Sequence, residues 1–167
     1  MMERTEPPMS VQDRYFPDLT CFGCGPRNDK GLRLKSFLGE ADGTLGATFR
    51  PWPEHDNGLG FLNGGIIATL LDCHSAASVV VTSEREGLVP DGTLQYVTAG
   101  LDLRYQRPSP LHDHVDLVAW AASADERVIV IDVELWWQEK VRAAATVTWK
   151  RWRPRPGHVG GPATAPH

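Results

Sequence analysis

Asp72 is the side chain in this sequence with the strongest claim to chemistry. It interrupts the apolar run that begins at Gly64, and its helical neighbours three and four places away, Ala68, Thr69, Ser75 and Ala76, offer no cation to pair its charge. A carboxylate in an apolar setting is costly to keep ionised, and burial alone raises its pKa. Two readings stay open from composition: a catalytic acid or base, or a structural acid that reaches backbone amides or a distant arginine such as Arg104 or Arg107. Upstream, Gly64 and Gly65 open the run. At a helix start the free N–H groups and the positive end of the dipole point outward, and glycine lets a ligand oxygen come close. Such a terminus can bind phosphate, but this one lacks the lysine and spacing of a P-loop. It can equally polarise a carbonyl and hold the oxyanion formed when that carbonyl is attacked. Asn57 and Asn63 are further donors, although asparagine beside glycine is also ordinary turn chemistry. A polarising helix end and a carboxylate two turns along are the minimum apparatus for attack of water on an acyl group.

These groups need a helix to carry them and a sheet to bury it. From Gly64 to about Ser83 the chain leaves almost no polar face, which marks a buried helix. Before it, Gly31–Phe37 and Thr44–Phe49 alternate apolar and polar residues around the Asp42-Gly43 turn, predicting a hairpin that Pro51 and Pro53 terminate. After it, strands are expected over Leu94–Tyr105, His114–Ala122, Arg127–Gln138 and Lys140–Trp152. Their short links predict that successive strands pair antiparallel. Two strands, one long central helix and four strands describe an α+β fold, an antiparallel β-sheet curled around the helix.

The bulk properties fit one domain. A chain of 167 residues with 41% hydrophobic and 23% charged content supports its own core. A net charge of −4 and a pI near 5.8 argue against general nucleic-acid binding. The first residues lack the apolar core of a signal peptide and no apolar run reaches the expected length of a membrane span, so a cytoplasmic location without membrane contact is expected. Residues 1–20 read as an irregular, proline-containing lead-in, residues 21–152 as the domain, and residues 153–167 as a poorly ordered Pro/Gly-rich tail.

Five other features weigh less. Cys21-x-x-Cys24 lacks the second ligand pair of a structural zinc site, so a compact turn with two semi-buried thiols is expected and no metal is assigned. His74 follows Asp72 directly and points to another side of the helix, which argues against a dyad. At least one of Trp136 and Trp137, which face opposite ways on a strand, belongs to a core or interface. His112-Asp113-His114 reads as a surface turn, and the basic stretch Lys150–Arg155 as a solvated strand end.

Asn57-x-x-Gly60-x-x-Asn63-Gly64-Gly65, with Asp72 nine positions after Asn63, resembles the signature of hotdog-fold acyl-CoA thioesterases of the phenylacetate-pathway (PaaI-like) type. Cys21-Phe22-x-Cys24-Gly25-x-x-Asn28-x-x-Gly31-Leu32 is similar to the lead-in of many members, and Thr98-x-x-Leu101-x-x-x-Tyr105-x-x-Pro108 to the strand after the helix. The resemblance implies a hotdog fold, a homodimer or homotetramer with paired sites at the dimer interface, and hydrolysis of an acyl-CoA or related acyl thioester. It implies Asp72 as general base or nucleophile, the Gly64 N–H as the carbonyl-polarising donor, Asn57 as a group that helps hold the reacting atoms, and Thr98 as a hydroxyl that orients water. Asn63 joins this catalytic set, and Gly60, Gly65 and His55 are the expected substrate-binding positions. No cofactor is implied beyond the coenzyme A carried by the substrate. Relatives usually have His-Gly-Gly where this chain has Asn63-Gly64-Gly65, and asparagine can cap a helix but cannot carry imidazole proton chemistry. That departure motivates an alternative, a non-catalytic hotdog module that binds acyl-CoA or another apolar ligand. A dehydratase or hydratase ranks last, because Asp72 with His74 does not reproduce its acid and histidine arrangement.

Overall fold

The structure, a computed structural model, describes residues 8–88 and 95–152. The tail expected to be poorly ordered, from Arg153 on, and the first expected strand residue, Leu94, lie outside the described residues. The elements are α1 (Val11–Tyr15), β1 (Phe37–Leu38), β2 (Thr44–Phe49), α2 (Gly64–Arg85), β3 (Tyr96–Tyr105), β4 (Val115–Ala124), β5 (Val128–Trp137) and β6 (Lys140–Arg151). The strands form one antiparallel sheet in the order β1-β2-β4-β5-β6-β3, packed around α2.

Helix α2 forms where the apolar run predicts it and extends two residues past Ser83. Asn63 caps its start, with Oδ1 accepting from the Gly65 N–H at 2.7 Å. Leu70, Leu71 and Val79 are fully buried, and the β-branched run Val79–Val81 is helical because packing outweighs its weak propensity. The helix spans 22 residues and contains an 18-residue window of mean hydropathy 1.5, so by length and composition it reaches membrane-span size, contrary to the expectation from the apolar run. The sheet covers much of it instead. The inward row of β5, Ile129, Ile131, Val133 and Leu135, has no exposed surface, and Leu117, Ala143 and Val147 continue this layer from the neighbouring strands.

Three local expectations change. Successive strands pair in β1–β2, β4–β5 and β5–β6, but β3 does not pair with β4; it crosses to the far side of β6, and β4 lies beside β2. Alternation signals extended chain with one buried face, and it carries no information about which neighbour completes a ladder. The predicted strand Gly31–Phe37 contributes only Phe37 to the sheet, with Leu38 following. Arg33 turns into the left-handed region (φ 54°), and the Leu32 and Leu34 N–H groups donate to Phe22 and Gly23 carbonyls at 2.8 and 3.0 Å. The alternation there buries Leu32, Leu34 and Ser36 under a loop, which requires extended chain but no sheet partner. Finally, the lead-in read as irregular contains α1, capped by Ser10, whose Oγ accepts from the Asp13 N–H. Val11 packs with Ala77 and Val80 of α2, which makes this segment part of the fold.

Candidate active site

The loop before α2 is built by its own side chains. Asp56 Oδ1 accepts from the N–H groups of Gly58 and Gly60 at 3.0 and 2.8 Å, and Asn57 Oδ1 accepts from Leu59 and Phe61 at 2.8 and 3.3 Å. Gly58 and Gly60 both have positive φ, 86° and 82°, conformations that suit glycine. The loop closes as the Asn57 N–H donates to the Phe61 carbonyl and the Asn63 N–H to the His55 carbonyl. His55 is buried against Phe49 and Trp52, and burial lowers its pKa. It therefore supports Asn63 from below, while the exposed rim is Asn57–Phe61.

The Gly64 N–H has no hydrogen-bond partner among the described residues, whereas the Gly65 N–H is taken by Asn63. This leaves Gly64 as the open donor at the positive end of the helix. Tyr105 of β3 lies over it: its hydroxyl donates to the Gly64 carbonyl at 2.7 Å, and a Cβ at position 64 would sit 3.2 Å from that oxygen. A side chain at this position would press on the Tyr105 hydroxyl.

Asp72 is half-buried, and Thr98 Oγ1 donates to its Oδ1 at 2.7 Å. Burial raises the Asp72 pKa, the Thr98 hydrogen bond opposes that rise, and the charge of Cys21 adds to it. No cation pairs with it among the described residues; Arg104 instead bonds Asp102 at 2.7 Å. Thr98 stands beside a register irregularity between Thr98 and Gly100 in the β3–β6 ladder. Such irregularities re-aim side chains. Asp72 and Gly64 are eight residues apart on one helix, about 12 Å along its axis at 1.5 Å per residue. Within one chain the acid and the open amide cannot share one carbonyl.

The thioesterase superfamily profile matches residues 59–144, which is 86 of the 167 residues. The chain belongs to the thioesterase superfamily. Among solved structures, a thioesterase superfamily protein from Shewanella loihica is 28% identical, with a TM-score of 0.59 over 72% of this chain and 91% of that one. The E. coli PaaI protein of the phenylacetic acid degradation operon shares the fold at 19% identity, with a TM-score of 0.60 over 73% and 81% of the two chains. The smu.793 protein of Streptococcus mutans, bound to acetyl CoA, shares it at 21% identity, with a TM-score of 0.59 over 73% and 90%. No curated protein matches the chain. The sheet around one long helix is the hotdog fold of this superfamily.

For a thioesterase superfamily site, the structure brings Asp72 and Thr98 into contact, and it joins Asn63 to Gly65 and to the His55 backbone. Asn57 Oδ1 and the Gly60 N–H are committed to the loop, so Asn57 can offer a ligand only its Nδ2 donors. His74 points away from Asp72, as its sequence position predicts: Nδ1 meets Ser36 Oγ at 2.8 Å and Nε2 the Leu45 carbonyl at 3.2 Å. Burial lowers its pKa to about 4, so it serves the core as a neutral ring. Sequence reasoning did not single out Tyr105 or Asp56. Tyr105 had a signal, since it falls within the motif that contains Thr98; Asp56 had only its place before Asn57-Gly58.

Proposed function

We propose that this protein hydrolyses an acyl-CoA or related acyl thioester to free acid and thiol. The observation that carries the reading is Asp72: a half-buried carboxylate with a raised pKa, held among the described residues by the Thr98 hydroxyl and by no cation. A carboxylate so placed can take a proton from water or attack an acyl carbon directly. Thr98 orients it, and the unpartnered Gly64 N–H supplies the donor for the developing oxyanion. Because those two groups are about 12 Å apart on one helix, the productive pair is Asp72 of one protomer and Gly64 of a second copy. The edge strand β3 supports a homodimer. Among the described residues it pairs only with β6, and it exposes Val97, Leu101 and Tyr105, the kind of apolar edge that a partner copy covers. The acetyl CoA bound to the S. mutans relative supports coenzyme A as the carrier.

Asp72→Asn and Asp72→Ala test the role. With a panel of short-chain, long-chain and aromatic acyl-CoAs and a thiol readout, both should lose on the order of 10²–10⁴-fold in kcat while remaining folded and dimeric. Undiminished turnover in both would exclude Asp72 from the chemistry. Asn63 favours a second reading, binding without turnover, because its side chain is spent on capping and supplies no proton-transfer group. Thermal stabilisation by several acyl-CoAs with no thiol released would select that reading.

A further inference from the structure

We propose that Cys21, Cys24 and Cys73 form a three-thiolate site for zinc, with a fourth position open to water. The neighbouring pair supplies two ligands, and α2 brings the third from 49 residues beyond Cys24. The three sulfurs all lie within 4.8 Å of one another, and Cys21 Sγ is 3.7 Å from Cys73 Sγ. A tetrahedral zinc ion with Zn–S bonds of about 2.3 Å requires S···S edges of about 3.8 Å. The cluster therefore stands close to ligand spacing, and all three cysteines are free.

The surrounding backbone holds the turn closely against the helix. Cys21, Phe22, Gly23, Cys24 and Gly25 form a tight turn in which the Gly25 N–H donates to the Cys21 carbonyl at 2.9 Å. The turn is fixed from outside as well, because Phe22 and Gly23 carbonyls accept from Leu32 and Leu34. Gly23 is where the turn meets the helix: a Cβ there would lie 2.3 Å from Cys73 Sγ and 2.8 Å from Thr69 Cγ2. Only the absence of a side chain lets the pair close on Cys73.

As neutral thiols the three groups have mainly one another as weak partners. As thiolates they need a cation, and zinc supplies it: each Cys releases one proton to solvent as its sulfur bonds the ion. The half-exposed Cys21 leaves a path for entry and for the fourth ligand. Cys73 directly follows Asp72, so the ion would clamp the 21–25 turn to the helical turn that carries the acid. This inference does not depend on the proposed hydrolysis.

The test is metal analysis of the full chain purified under reducing conditions from zinc-supplemented cells, beside Cys21→Ser and Cys24→Ser. One zinc per chain is expected, falling at least tenfold in each variant. After stripping, cobalt(II) should give thiolate charge-transfer absorption that weakens in the variants, and one equivalent of zinc should raise Tm only in the unaltered chain. Cys73→Ser completes the set; if it fails to fold, the two turn variants decide. Absence of both bound zinc and the cobalt spectrum in folded, reduced protein would overturn the site. Formation of a Cys21–Cys73 disulfide under saturating zinc would overturn it too, by showing that the sulfurs are a redox pair.

Discussion

Replacing Thr98 by valine removes one hydroxyl while keeping the shape of the side chain. That hydroxyl donates to Asp72 Oδ1 at 2.7 Å and is the hydrogen-bond donor to this carboxylate among the described residues. A hydrogen bond to a charged group contributes about 1.5–3 kcal/mol. Thr98 is exposed and Asp72 only half-buried, so the low end applies, and about 1.4 kcal/mol corresponds to a tenfold effect. Thr98→Val should therefore lower kcat/KM for an acyl-CoA about tenfold with little change in Tm, and Thr98→Ser should restore most of it. The decisive assay is a double-mutant cycle under single-turnover conditions with Asp72→Asn. If Thr98 acts through the carboxylate, the valine substitution has almost no further effect once Asp72 is neutralised. Equal tenfold losses in both backgrounds would refute a positioning role, and unchanged activity in Thr98→Val alone would show that the hydrogen bond contributes nothing to turnover.

Two further predictions concern stability. Trp149 Nε1 donates to Ser75 Oγ at 3.0 Å in the core, and Ser75 in turn bonds the Asp72 carbonyl. Trp149→Phe should cost about 2–3 kcal/mol, from the lost bond and the space left behind, measured by urea unfolding; a cost near zero would mean that the indole N–H finds no net gain there. Lys35, then Ser10, hold the Asp13 carboxyl below its ordinary value. A depressed carboxylate stabilises the fold fully above about pH 4, the unfolded range, and this stabilisation is lost as the pH falls through the lower folded value. The Asp13 side chain is 46% exposed, so screening keeps the effect under about 1 kcal/mol. Asp13→Asn should lower the unfolding midpoint slightly at about pH 7, and the gap should close as the pH falls through the lower folded value of the parent's carboxyl; a gap that widened on acidification would reverse the assignment.

Much of the candidate site is legible in the sequence because its signals are local. Asn63 as cap, Gly64 as open donor and Asp72 as an acid without a helical partner depend on residues within one or two turns. Thr98 was reached through a family resemblance, and its contact with Asp72 joins positions 26 residues apart. Tyr105 meets Gly64 across 41 residues, and spacing carries no trace of that approach. His55 was likewise named through the resemblance, and the packing of its ring on Phe49 and Trp52 joins residues that the loop motif does not contain.

The buried helix, most of the strands and the glycine loop follow from local sequence, because hydrophobic period, caps and turn residues act over a few positions. Only the tertiary structure decided which strands are neighbours, placed β3 at the sheet edge with Thr98 on Asp72, and gathered Cys73 to the Cys21–Cys24 turn. Those outcomes are set by how one sheet closes over one helix, a condition on the whole core that no short stretch of chain encodes alone.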